Sequence, residues 1–173
     1  MLTELFISHY DFDMGISRGL KKLSNSFGLG LQKVNVIKDV PSDRERGVCY
    51  LPGDILKKYG LNGSRLNDKT RSSQIGDFVA NIVGLTVPHL DDAVEYSTYI
   101  PSHLKGVRMF LVVPVYLATA TLALVKSRPV QAMTGPPVKL SRIDVTGLVS
   151  AAAVRIGSDK KLMGYYLSLR NKI

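Results

Sequence analysis

Asn35, Asp39 and Asp43 stand four residues apart. On a helix that spacing projects an amide and two carboxylates along one face. Hard oxygen donors of this kind suit Mg²⁺, which keeps several waters and takes one or two protein carboxylates alongside the phosphates of a substrate. Lys33, Lys38, Arg44 and Arg46 surround the row, and their charge could hold the remaining phosphate oxygens. Taken alone, a DxxxD spacing reads more readily as a solvated helix end with ordinary surface charges. The flanking residues decide between the two.

Those flanks carry a resemblance. Leu31-Gln32-Lys33-Val34-Asn35-Val36-Ile37-Lys38-Asp39, then Asp43, Gly47 and Tyr50-Leu51-Pro52, resemble the second aspartate-rich motif of the squalene/phytoene synthases, roughly LQxxNIxRDxxxDxxxGRxYLP. Tyr99–Pro101, Val107–Leu124 (VRMFLVVPVYLATATLAL) and Val138-Lys139-Leu140-Ser141-Arg142 are similar to the squalene-synthase pattern RxFCxxPxxxAxATL followed by VKIxR. Phytoene synthases match there less well. The resemblance implies an all-α fold, part of an isoprenoid-synthase-type helical bundle around an apolar cavity. It also implies head-to-head joining of two farnesyl diphosphates through presqualene diphosphate, with Mg²⁺ and NADPH as cofactors and squalene as product.

Carried over by position, the resemblance makes Asp39 and Asp43 the Mg²⁺ ligands and catalytic carboxylates, with Asn35 completing or orienting their shell. Gln32, Asn35, Lys38, Arg44 and Arg46 become the diphosphate-binding set. Phe110 falls either on a second-step pocket position or in the core. Lys139 and Arg142 match positions implicated in binding the phosphates of NADPH, or are surface cations. Two positions depart: Val48 stands where the family has Arg, removing a phosphate contact that Arg44 or Arg46 would have to replace, and Leu111 stands where squalene synthases often have Cys.

These residues need helices to position them. Ile16, Leu20, Leu23, Phe27, Leu31 and Val34 recur every three or four residues, the helical period. Ser24, Gly28, Gln32, Asn35 and Asp39 form a small, polar second face, which would line a cavity wet at one end if directed inward. Gly28 and Gly30 each cost about 1 kcal/mol against Ala, which points to close helix packing or room for an isoprenoid chain. Pro41 ends or kinks the helix just after Asp39. The spacing further predicts a short helix at 54–59, a polar surface stretch at 62–73, and a helix at 74–96 that Pro88 kinks or divides. An apolar central helix at 103–126 follows, with Ser102 as its cap, then an irregular loop at 128–138. Helices capped by Ser141 and Ser158 complete the chain. Adjacent Asp91 and Asp92 point about 100° apart on a helix and read as structural rather than as a catalytic dyad.

At 173 residues, 45% hydrophobic and 21% charged, the sequence is ordinary for one globular helical domain spanning 1–173. Cys49 is alone, and the three histidines show no zinc-like spacing. The formal charge of +9 suggests an anionic partner: a diphosphate or a membrane surface contacted peripherally. Nucleic acid is not expected, for the chain has no Trp, no stacking motif and no basic stripe. Residues 1–10 lack the features of a signal peptide. The apolar run 109–125 is shorter than a bilayer span, so a cytoplasmic location without a spanning segment is expected.

Residues 1–9 resemble the end of a helix whose earlier part, with the first aspartate-rich motif, would lie upstream. The expectation is therefore a C-terminal portion of an enzyme, or one chain of a split one, with a complementary N-terminal polypeptide or self-association as its partner. A phytoene or dehydrosqualene synthase, and a truncated, non-catalytic prenyl-diphosphate-binding protein, are the alternatives.

Overall fold

A computed structural model describes residues 2–173. Met1, the first residue of the expected N-terminal helical segment, lies outside them. The described residues form α1 (Leu2–Tyr10), α2 (Met14–Lys38), α3 (Val40–Glu45), α4 (Gly53–Lys58), α5 (Ser72–Gly84), α6 (Val87–Tyr99), α7 (Lys105–Ser127), α8 (Pro129–Thr134), α9 (Arg142–Ala153) and α10 (Asp159–Arg170). Short 3₁₀ turns at Gly63–Asn67 and Lys69–Arg71 join α4 to α5, and no strand occurs among the described residues. The chain is all α, as its periodicity predicts.

Local chemistry explains most boundaries. The Asp13 carboxylate accepts the Ile16 N–H at 2.9 Å, a side-chain cap that starts α2 two residues earlier than the apolar pattern indicates. Pro88 divides the predicted 74–96 helix in two and sits in the first turn of α6, where its missing N–H costs nothing. Ser141 and Asp144 form a reciprocal capping box on α9. The Ser158 hydroxyl caps α10 through the Lys161 N–H.

Three expectations need correction. Residues 128–138 are not all irregular, because Pro129 opens α8 with its preset φ and Ala132 and Met133 are buried beneath it. Residues 62–73 are not wholly surface, since Leu66 plugs the core at 1% exposure. Ser102 does not cap α7. A turn held by Leu104 N–H on the Pro101 carbonyl, at 2.9 Å, intervenes and delays the helix to Lys105.

α2 lies along α6, and both pack on α7. The close approach runs through glycine: a Cβ at Gly30 would stand 3.0 Å from the His89 carbonyl oxygen, whereas Gly28 faces open space. α9 and α10 both pack on α7 as well, so α7 has neighbours on several sides. With 23 residues and a mean hydropathy of 1.9 over its most apolar window, α7 is long and apolar enough to cross a membrane by length and composition. In this fold 56% of that window is buried inside the protein, and Val112, Val115, Tyr116, Leu122 and Val125 form the centre of the core.

α7 also carries a buried cation. Arg108, 1% exposed, donates to the carbonyls of Ile100 (2.6 Å), Ile156 (3.0 Å) and Thr98 (3.3 Å) and to the Asp159 carboxylate (2.6 Å).

The two glycines of α2 should answer mutation oppositely. Gly28→Ala is expected to raise stability by about 0.5–1 kcal/mol through helix propensity. Gly30→Val is expected to lower it by roughly 1–3 kcal/mol by forcing α2 off the α6 backbone. Urea unfolding midpoints of the two variants check this, and a loss at Gly28 equal to that at Gly30 would contradict it.

Candidate functional site

The polar row lies where α2 gives way to α3. Asp39 ends α2 and precedes α3, and Pro41 occupies the first turn of α3. The turn is tight. Asp39 N–H donates to the Asn35 carbonyl at 3.0 Å, and Asp43 N–H to the Asp39 carbonyl at 2.8 Å. The four-residue register therefore survives the break in the helix. Gly47, at φ +76°, then reverses the chain. Its N–H meets the Arg44 carbonyl and that of Val48 meets the Asp43 carbonyl, a Schellman closure that requires the left-handed conformation glycine adopts freely.

Side chains within the row separate. Asn35 and Lys38 line a groove of about 230 Å³ between α2 and α7, walled by Leu31, Val34, Pro114 and Leu117. Gln32 and Lys33 face another recess of about 290 Å³, closed by Tyr50, Leu51 and Pro52. Asp43 is buried and faces a space of about 10 Å³ beside Val48 and Cys49, room for about one water. Lys38 Nζ donates to Asp39 Oδ2 at 2.6 Å, Arg46 pairs with Asp43 Oδ1, and Arg44 reaches the Met133 carbonyl at 2.6 Å.

Phe110 is 60% exposed, so it is not a core residue. It precedes Pro114 by one turn and Leu117 by two, on the face of α7 that lines the groove. Pro114 has no N–H to offer the Phe110 carbonyl. Pro114 borders this opening and Tyr50-Leu51-Pro52 the second recess, features present in the sequence that its periodicity does not connect to either. Lys139 and Arg142 are exposed, carry no ion pair among the described residues, and line none of these cavities.

Does this chemistry suit the implied cofactors? Asp39 and Asp43 supply two hard carboxylates, each with one oxygen engaged by a neighbouring cation and the other making no hydrogen bond among the described residues. The carboxyl end of α2 favours a cation through its dipole. No cluster of three His, Cys, Asp or Glu occurs among the described residues, yet two carboxylates are what Mg²⁺ ordinarily takes. The donors fit magnesium in kind. NADPH fits less well, for Lys139 and Arg142 match phosphate in charge but nothing around them encloses a nucleotide.

The family model described as squalene/phytoene synthase matches residues 1–144. The chain belongs to that family. It is 30% identical over 137 residues to a squalene synthase of Candida albicans, covering 74% of this chain and 29% of that protein. It is 33% identical over 108 residues to a squalene synthase of Saccharomyces cerevisiae, covering 61% of this chain and 23% of that protein. A bifunctional lycopene cyclase/phytoene synthase of Colletotrichum graminicola matches over 87 residues at 30% identity, 50% of this chain and 15% of that protein. The chain thus spans less than a third of the length of these relatives.

The remaining acidic cluster is structural, as its adjacent spacing predicts. Asp91 accepts the Tyr166 hydroxyl at 2.7 Å and is forked by Arg170, while Asp92 accepts the Ser26 hydroxyl at 2.5 Å. Burial foremost, then the hydrogen bond to Asp91, pushes the Tyr166 hydroxyl far above its ordinary value of 10.0. Burial does the same to Tyr116, whose hydroxyl donates to the Leu162 carbonyl at 2.8 Å. Both protons are held in the folded state and released by the unfolded chain once pH exceeds about 10. The stability they contribute is fully present below that pH and lost as pH rises further. Unfolding midpoints should therefore fall steeply above pH ~10, and less steeply in Tyr166→Phe. An unchanged slope in that variant would contradict the assignment.

Proposed function

We propose that this chain serves prenyl transfer of the squalene-synthase type: Mg²⁺-dependent, head-to-head condensation of two farnesyl diphosphates to presqualene diphosphate, leading to squalene. The observation that carries the reading is the pairing of Asp39, at 2.6 Å, with Lys38, which lines an apolar groove between α2 and α7. The squalene synthases match longer stretches than the phytoene synthase does, which favours a C30 over a C40 product.

Asn35 and Lys38 line the groove and hold diphosphate oxygens there, Lys38 moving its charge from Asp39 to the phosphate. Arg46 is exposed enough to leave Asp43 in the same way. Magnesium, when bound, offsets the negative charge that gathers on the departing diphosphate, and Asp39 and Asp43 are the carboxylates that would hold it. Leu31, Val34 and Leu117 keep water from the chain of the ligand. The ring of Phe110 offers its negative face to the allylic positive charge. Lys139 and Arg142 would meet NADPH phosphates as exposed cations, and no residue is assigned to hydride delivery. A cytoplasmic location is part of the proposal.

Titration of the chain with farnesyl diphosphate tests the proposal. Binding should require Mg²⁺, be reversed by a chelator, and weaken at least about tenfold, or ~1.4 kcal/mol, in Asp39→Ala. Binding indifferent to both the chelator and the substitution would overturn it.

A further inference from the structure

The two cavities that border α2 lie on opposite sides of it. Leu31, Asn35 and Lys38 face the groove toward α7, whereas Lys33, Val36 and Ile37 face the recess of about 290 Å³. At about 100° per residue the two sets stand roughly half a turn apart. Leu51, Ile55 of α4, and Ile82 and Leu85 at the end of α5 complete the wall of the recess. The prenyl-transfer reading makes no use of it.

The floor of the recess is preformed, because Ile37, Leu51 and Ile82 are buried in the main core. Its rim exposes apolar surface: Tyr50 is 65% exposed and Leu85 50%. A single charge lines it. Lys33 Nζ donates to the Leu85 carbonyl in a long hydrogen bond of 3.3 Å, and forms no ion pair among the described residues. No acidic side chain lines the recess, and the Thr86 hydroxyl is engaged by the Ile82 carbonyl at 2.7 Å. A larger open trough of about 550 Å³ lies between α9 and α10, but Asp144 and Lys172 both line it, so its charge selects neither sign of ligand.

We propose that this recess binds a single-chain amphiphile whose head carries one negative charge, of the fatty-acid type. The chain lies on Val36, Ile37, Leu51, Ile55 and Ile82, which removes it and the exposed faces of Tyr50 and Leu85 from water. The carboxylate takes Lys33 Nζ, exchanging a long bond to a neutral carbonyl for a shorter, charge-assisted one. The lining selects this head among the alternatives. A diphosphate carries more charge than one lysine meets, and a zwitterionic or cationic head finds no carboxylate. A peptide needs partners for its backbone, and a wall of aliphatic side chains offers few. Ligand pockets run from roughly 300 Å³ upward, so a recess of this size suits one chain rather than two. The inference stands independently of the prenyl-transfer reading.

Calorimetric titration of the protein with decanoate, and with decanol as the same chain under a neutral head, tests it. Decanoate should bind at least about tenfold tighter than decanol, the worth of one charge-assisted hydrogen bond. Lys33→Gln should weaken decanoate by about that factor, leave decanol unaffected and keep the thermal midpoint. Ile55→Phe, which fills the recess, should weaken both ligands. Excess farnesyl diphosphate with Mg²⁺ should leave decanoate bound, since the groove lies on the other side of α2. No binding of decanoate, equal binding of decanol, or decanoate binding kept by both variants would overturn the proposal. Displacement by farnesyl diphosphate would do so too, because the acid would then sit in the groove. So would a dimer, seen by sedimentation velocity, that Tyr50→Ser/Leu85→Ser dissociates, because a second copy would then cover the recess.

Discussion

The buried guanidinium of Arg108 is the constraint on which the arrangement depends. A cation at 1% exposure is tolerable only when its donors are met. Here the donors reach the carbonyls at the end of α6, the carbonyl of Ile156 before α10, and the Asp159 carboxylate at the first position of α10. The end of α6 and the start of α10, the latter some 50 residues away in sequence, are thereby tied to one turn of α7. The tie sets the rotation of α7, so that Phe110, Pro114 and Leu117 look toward α2 while Ala123 and Leu124 look toward α9 and α10.

With α7 fixed, the position of α2 follows from backbone contact. Gly30 lets α2 rest on the His89 carbonyl, which brings Val34 into the core and leaves Asn35 and Lys38 at the edge of the groove. The end of α2 is then a matter of one proline. Pro41 halts the helix, and Asp39 is left at a junction, at the carboxyl end of α2, whose dipole opposes its charge, and at the amino end of the short α3, whose dipole favours it. Lys38 offsets that opposition at 2.6 Å. Asp39 thus has one oxygen on Lys38 and the other making no hydrogen bond among the described residues.

Much of this was legible in the sequence. Capping residues and prolines marked the ends of α6, α9 and α10 because their effects are local, and the long motif around Asp39 and Asp43 identified the family. Positions set by distant packing could not be read. Arg108 looks like an ordinary charge at the start of an apolar helix, and its burial depends on residues some 50 positions later. Leu66 hides in a polar stretch for the same reason. Gly28 and Gly30 are equivalent in sequence, and only the neighbouring helix distinguishes them. The row at Asn35, Asp39 and Asp43 kept its backbone register, but its side chains divide between a groove and an inner recess, which spacing along one helix does not reveal.

A photoreactive farnesyl diphosphate analogue, crosslinked in the presence of Mg²⁺ and mapped by mass spectrometry, tests the central claim most directly. The account predicts labels on the groove between α2 and α7, at Leu31, Phe110 or Leu117, and their disappearance in excess farnesyl diphosphate. Labels confined to the trough between α9 and α10, or scattered without competition, would contradict it.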